Sequence, residues 1–349
     1  MGPVPVCVLL SVALCVLAVR SVNAEDEDDS YTWPQWNVPL VREKRTLHGT
    51  CGIECQQGLP DPSVSELERL LSYETVYENG TRTLTTVALQ GLNEAQAWPG
   101  KLPGHSRRKR EVYGVDTRFT IADKQFSTKY PFSTTHVLTA AHCIHDGRDY
   151  VSGAQKLRVG VLKERKGRKG RSRSRRSADS GQPSFRWTTV KQTQVPKGWF
   201  KGGSQNVSAD YDYAILELKR SQKTRFMDLG IVPSIKKLPA GRIHFSGFDD
   251  DRPDQLVYRF CAVSEESNDL LYQYCDAKPG SSGSGIYVRL KEPGKKQWKR
   301  KIIGVFSGHQ WVDVNGAQQD YNVAVRITPL KFAQICHWVH GDSSICKAT

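Results

Sequence analysis

Beyond residue 19, this chain has no apolar run long enough to cross a bilayer, which takes about 20 residues. No His/Cys spacing suggests zinc, no residue set calls for a cofactor, and no internal repeat is visible. Acidic residues are also short: 36 Asp and Glu face 50 Lys and Arg, a net charge of +14. That imbalance favours anionic partners such as sulfated glycans, nucleic acid or acidic membrane, and does not choose among them. What is present suffices for a core. With 349 residues, 38% apolar and 25% charged, the chain is neither a membrane bundle nor wholly disordered, and allows one large domain or two.

The apolar run at residues 4–19 is short for a span, and Val22-Asn23-Ala24 fits a signal-peptidase site before the acidic run Glu25 to Asp29. The expectation is a signal peptide over 1–24, cleavage after Ala24, and a secreted, extracellular protein with no stable membrane insertion. Cys7 and Cys15 leave with the signal. Seven cysteines remain, an odd number, so at least one thiol has no partner within the chain. Asn79-Gly80-Thr81 and Asn206-Val207-Ser208 are glycosylation sequons.

Residues 25–110 read as a propeptide-like region, mostly irregular. Cys51 and Cys55 suit closure of a small loop, and residues 63–78 suit one helix, capped by Ser63 or Ser65, with Leu67, Leu70 and Leu71 on one face. The region ends in Arg107-Arg108-Lys109-Arg110, four cations that resemble a proprotein-convertase site, with cleavage after Arg110. From Glu111 onward, short apolar stretches alternate with turns: 156–162, 187–195, 213–218, 256–263, 285–290, 302–307 and 322–327. Their β-branched and aromatic content predicts an all-β sandwich or barrel. Leu330, Phe332, Ile335, Trp338 and Val339 have the spacing of a C-terminal helix.

Three motifs carry chemistry: Leu138-Thr139-Ala140-Ala141-His142-Cys143, Asp212-Tyr213-Ala214-Ile215-Leu216-Glu217-Leu218, and Gly280-Ser281-Ser282-Gly283-Ser284-Gly285. Alone, each has a bland reading as a strand end or a flexible loop. In the order His, Asp, Ser they form a set that nucleophilic catalysis requires. A serine hydroxyl needs a base within hydrogen-bond reach. His142 would take the Ser282 proton and pass it to the leaving amine, and a buried Asp212 would hold the imidazole tautomer. The N–H groups of Gly280 and Ser282 would bind the oxyanion, worth about 3 kcal/mol per donor. Asp210 is a rival to Asp212, two residues away. His145, His244 and His309 read as structural or exposed.

TAAHC, D-x-A-x-L and G-x-S-G-S, in that order over the 239 residues from Glu111 to Thr349, resemble the trypsin/chymotrypsin-type serine protease family. The resemblance implies two antiparallel β-barrels with a C-terminal helix over 111–349, and a secreted serine endopeptidase working on protein or peptide substrates through an acyl-enzyme. It implies that Gly304 to Gly308, with Ser307 and Gly308, is the strand that pairs with the substrate backbone. It places Asp276 at the base of the specificity pocket, while Lys278 or His309 could instead favour acidic side chains. It also implies the disulfides Cys261–Cys275 and Cys336–Cys346.

The departures matter as much. Family members carry a Cys-bearing strand just before the histidine strand, and here Pro131 to Thr135 runs straight into His136. About 15 residues, one strand and its turn, are missing relative to the pattern. The first barrel is expected to lack a strand, Cys143 to be the orphan thiol, and catalysis to be impaired. The family's activation aspartate is Ser281 here, and the run around Ser282 looks closer to the glutamyl-endopeptidase branch. Finally, Lys163 to Arg176 holds nine cations and one acid, within a basic loop insertion over 163–186. It offers a heparan-sulfate or other polyanion site, and with it an alternative function: a catalytically weak protease-fold protein that binds polyanions or protein partners.

Overall fold

The computed structural model describes residues 33, 39–44, 62–90, 104–108, 116–120, 133–162, 185–200, 209–222, 226–232, 234–235, 238, 241–253, 255–291, 294, 297–314 and 317–346. The signal region with Ala24, the sequon Asn206, the cleavage position Arg110, Cys51, Cys55 and the basic loop at 163–176 lie outside them. In chain order the first strands are β1 (Leu40–Lys44), β2 (Tyr73–Tyr77), β3 (Arg82–Gln90), β4 (Gly104–Arg108), β5 (Phe119–Thr120) and β6 (His136–Thr139). Then come β7 (Arg158–Leu162), β8 (Phe185–Pro196), β9 (Ala214–Leu218), β10 (Asp228–Leu229) and β11 (Arg242–Phe248). The last are β12 (Leu256–Glu266), β13 (Leu270–Gln273), β14 (Gly285–Lys291), β15 (Trp298–Val314) and β16 (Ala317–Arg326). The helices are α1 (Val64–Leu71) and α2 (Pro329–His340). All seven stretches read as strands lie in strands, five of them within a few residues at their ends, while β15 and β16 run well beyond the stretches 302–307 and 322–327.

The later strands close into a barrel, β15-β14-β11-β12-β13-β16, sealed by β15 pairing with β16. The earlier strands form a sheet of order β1-β3-β2-β8-β9-β6, with β7 on β8. β6 is its edge. His136–Thr139 pairs with Glu217–Ala214 of β9 on one side, and among the described residues no strand lies on the other. The two-barrel expectation holds, and the first unit ends, among the described residues, at the outer side of β6.

α2 seals the body as expected. Thr328 caps it by accepting the Lys331 N–H, Pro329 opens it, and Gly341 at φ 75° ends it. These are the residues that helix termini favour. Phe332, Ala333, Ile335 and Trp338 are buried in the largest core cluster. The structure pairs Cys261 with Cys275 and Cys336 with Cys346, and leaves Cys143 free and exposed.

The region before residue 110 differs from the irregular reading. α1 starts where expected, with Ser63 as its N-cap accepting the Glu66 N–H, but it stops at Leu71 instead of reaching 78. Tyr73-Glu74-Thr75-Val76-Tyr77 is β-branched and aromatic, a composition that suits a pleated surface better than a helix. It pairs with β3 on one side and with Gln192–Pro196 of β8 on the other. Leu71, Tyr73, Val87 and Leu89 therefore share one core cluster with Ile335 and Trp338. The Gln334 side chain bonds the Leu71 carbonyl. Asn79 is exposed in the turn between β2 and β3, with its side-chain Oδ1 accepting the Thr81 N–H.

Candidate active site

β6 delivers His142. Its last described partner, Thr139↔Ala214, sets the end of the histidine strand beside the start of β9, and a 3-10 turn over Ala141–Cys143 swings the imidazole over the gap. Asp212 stands just before β9. It is fully buried and receives the His142 backbone N–H at 2.8 Å on Oδ1 and His142 Nδ1 at 2.7 Å on Oδ2. One residue thus holds both the backbone and the ring of His142. Asp210, the rival, sits in the 3-10 turn Ala209–Tyr211, and the carboxylate on His142 Nδ1 is that of Asp212.

Ser282 comes from the turn before β14. Its Oγ lies 2.5 Å from His142 Nε2 and 3.3 Å from the Ser307 carbonyl oxygen, to which it donates. The turn is pinned to β15 by Gly283 N–H to Phe306 O at 2.9 Å and Phe306 N–H to Ser284 O at 2.8 Å. Gly280 has φ 96° and Gly283 φ 75°, a region that favours glycine. A Cβ on Gly283 would stand 2.3 Å from Thr139 Oγ1, so this glycine lets the serine turn seat against the histidine strand. Gly283→Ala is expected to cost about 1–2 kcal/mol in backbone strain and about 1–3 kcal/mol in overpacking. Thermal melts would register both, and an unchanged midpoint would contradict the seating. The amides of Gly280 and Ser282 have no acceptor among the described residues, which leaves both donors available for an oxyanion.

Ser281, in place of the family's aspartate, is fully buried and satisfied locally, with its Oγ on the Lys278 carbonyl at 2.7 Å. Asp276 is not an open pocket floor. It is buried and accepts the Thr117 N–H at 2.8 Å and the Thr117 hydroxyl at 2.7 Å. Thr117 is held there, and next to it Arg118 reaches Asp249 at 2.6 Å. His309 is buried against Asp320 and edge-on to Trp311. Lys278 is half-buried. Sequence reasoning missed two contacts: Thr117 on Asp276, and Ser307 Oγ, which donates to Asp212 Oδ2 at 2.5 Å. Ser307 is 95 residues from Asp212, and no local spacing signals that bond.

Electrostatics separate the histidines. Burial pulls the His142 ring down, but the Asp212 carboxylate outweighs it by charge and hydrogen bond, Cys143 adds to the rise, and the ring is raised to about 9. The Cys143 sulfur is 4.0 Å from His142 Nε2. His145 goes the other way, to about 4, because burial exceeds the pull of Asp146 and Asp149. It stacks on Phe200. His244 is also lowered to about 4 by burial and by Arg289, and bonds the Tyr258 hydroxyl at 2.7 Å. Of the two readings the sequence left open, structural or exposed, both histidines are buried. The described residues hold no cluster fit for a metal ion, and no helix among them is long and apolar enough to cross a membrane.

Mouse inactive serine protease 35 is 53% identical to this chain over 390 residues, covering 93% of the chain and 95% of that protein. Mouse serine protease 23 is 48% identical over 382 residues, covering 99% and 100%. Human serine protease 23 is 49% identical over 374 residues, covering 97% of each. Alignments longer than the 349-residue chain mean that stretches of these relatives face no residue here. Among solved structures, a Glu endopeptidase in complex with MPD superposes on 65% of this chain and 98% of that one, at a TM-score of 0.45 and 18% identity. No family model matches the chain.

Proposed function

The chain belongs to the family of serine protease 23 and inactive serine protease 35, and from that premise we propose that it is a secreted serine endopeptidase. His142 is the base, Asp212 its orienting partner and Ser282 the nucleophile. The observation that carries this is the unbroken relay from Ser282 Oγ to His142 Nε2 at 2.5 Å and from His142 Nδ1 to Asp212 at 2.7 Å.

Ser282 attacks the substrate carbonyl as His142 takes its proton. The oxyanion accepts from the Gly280 and Ser282 amides, and His142 then protonates the departing amine. Water repeats the sequence on the acyl-enzyme. With Ser281 satisfied within its own turn, the serine loop needs no carboxylate paired to a new N-terminus to hold its shape. Cleavage after Arg110 by a proprotein convertase is then a processing step and not the switch. Fluorophosphonate labelling that Ser282→Ala abolishes is the expected result. Absence of labelling in the parent chain would defeat the reading.

The pH profile follows from His142. A base must be unprotonated, and this ring is raised to about 9, so labelling should climb from pH 7 to above 9. Cys143 contributes to the rise, so Cys143→Ser should move the limb to lower pH. For stability the sign reverses. A histidine whose folded value lies above the unfolded one of about 6.5 stabilises fully below that value, and the contribution is lost as pH rises through about 9.

A second reading, a catalytically weak secreted protease-fold protein, is favoured by the relatives named inactive and by the open edge of β6. A buried amide left unbonded at such an edge costs about 1–3 kcal/mol. Its partners would be heparan sulfate or other polyanions, bound through residues 163–176 on composition alone. Restoring the missing stretch separates the two readings. Labelling that appears only after restoration, with tight heparin-column retention throughout, would favour the second.

A further inference from the structure

β15 changes company at Ser307. Before it, the strand is flanked by β14, with Gly285 opposite Val305, and by β16. Beyond it, β14 no longer follows, while β16 continues opposite His309 to Val312. The other edge of residues 309–312 starts beside the reactive serine, because Ser282 Oγ reaches the Ser307 carbonyl. That edge is taken by β4. His309 is opposite Arg108, Gln310 opposite Arg107, Trp311 opposite His105 and Val312 opposite Gly104.

The direction is informative. The pairing is antiparallel, so residue numbers in β4 rise towards Ser307, and the segment runs N to C towards the nucleophile. A peptide bound for acyl transfer must do the same. It must be extended, pair its backbone with a free edge that leads to the serine, and deliver a carbonyl that lies C-terminal to the paired residues. Position, direction and conformation all match.

We propose that in the intact chain Gly104-His105-Ser106-Arg107-Arg108 is a tethered occupant of the edge of residues 309–312, where it stands in the place of an extended peptide. The substrate meaning of this edge rests on the reading of Ser282 as nucleophile; the occupancy does not. The segment is anchored on both sides. Residues 62–90 pack into the core, and Thr117 and Arg118 are fixed to Asp276 and Asp249. A segment held at both ends meets its partner at an effective concentration on the order of millimolar, so a free peptide of equal intrinsic affinity would be excluded at ordinary concentrations. The sequence showed a convertase-like basic run in this place, and the strand pairing gives the same run a second use.

The test uses the full chain with Ser282→Ala, so that no peptide is consumed, beside the same chain carrying His105→Pro, Ser106→Pro and Arg107→Pro. Proline has no N–H to give to a ladder. The probe is a fluorescent peptide of sequence Gly-His-Ser-Arg-Arg, read by anisotropy, together with hydrogen exchange at residues 309–312. The expected result is peptide binding at least tenfold tighter in the proline variant, with at least tenfold faster exchange of those amides in 309–312 that do not bond β16. Equal affinity and equal exchange in the two chains would overturn the proposal. Should the proline variant not fold, the Ser282→Ala chain alone decides. Slow exchange of the same amides supports occupancy, and exchange at the rate of an open edge refutes it. Neither readout involves turnover, so fluorophosphonate labelling of the parent chain reports on the hydrolase reading separately.

Discussion

Asp212→Asn should lower the rate of Ser282 acylation by about four orders of magnitude while the protein keeps its fold. Asp212 accepts from three donors in a fully buried site: the His142 backbone N–H, His142 Nδ1 and Ser307 Oγ. A carboxylate serves all three because both of its oxygens only accept. An asparagine has one oxygen and one NH2, so some donor must face a donor. Either the backbone N–H or Ser307 loses its partner, or the imidazole switches tautomer and Nε2 carries the proton. In the last case His142 can no longer accept from Ser282. Rates of fluorophosphonate labelling between pH 7 and 9 would measure the loss, and thermal melts would check the fold. Labelling within tenfold of the parent would mean that Asp212 does not orient the base. Ser307→Ala removes one donor and leaves the tautomer alone, so its effect should be about tenfold or less.

The chemistry was more legible in the sequence than the architecture around it. Order and spacing nominated His142, Asp212 and Ser282, because nucleophilic catalysis restricts both residue type and neighbourhood. The motif register favoured Asp212 over Asp210, and the Asp212 carboxylate is the one that meets His142. The strands from 156 onward were readable because β-branched stretches between turns suit one another as pleated partners. What was not readable was long-range. Thr117 and Asp276 are 159 residues apart, and a buried carboxylate looks the same in sequence whether it floors a pocket or anchors a segment. The strand β2 was read as the tail of a helix, since Leu67, Leu70 and Leu71 set a helical period and only the partner strands β3 and β8 decide where it stops. Propensity yields there to pairing.

The same pairing sets the last expectation: a chain beginning at Glu111 should not fold, and a chain cut after Arg110 should stay in one piece under native conditions. The N-terminal hairpin belongs to the body of the protein. β2 adds directly to β8, Val41 N–H bonds Ser343 Oγ at 2.8 Å, and Leu71, Val87 and Leu89 fill the core beneath α2. Those three side chains alone contribute about 5–9 kcal/mol of burial, against a whole-domain stability of about 5–15 kcal/mol. Removing them with their ladder leaves too little to offset the ordering of the rest. A cut after Arg110 breaks one covalent bond and none of these contacts. The two disulfides among the described residues, both within 261–346, do not join the pieces, so packing alone must hold them. Gel filtration of the cut protein should give one peak, and two bands should appear only on a denaturing gel. Separation of the fragments without denaturant, or a folded protein expressed from Glu111, would show that the hairpin is a removable prosegment after all. If the pieces do stay together, processing at Arg110 cannot empty the cleft by dissociation, and the strand on β15 must be displaced by a competing peptide or freed at its cut end.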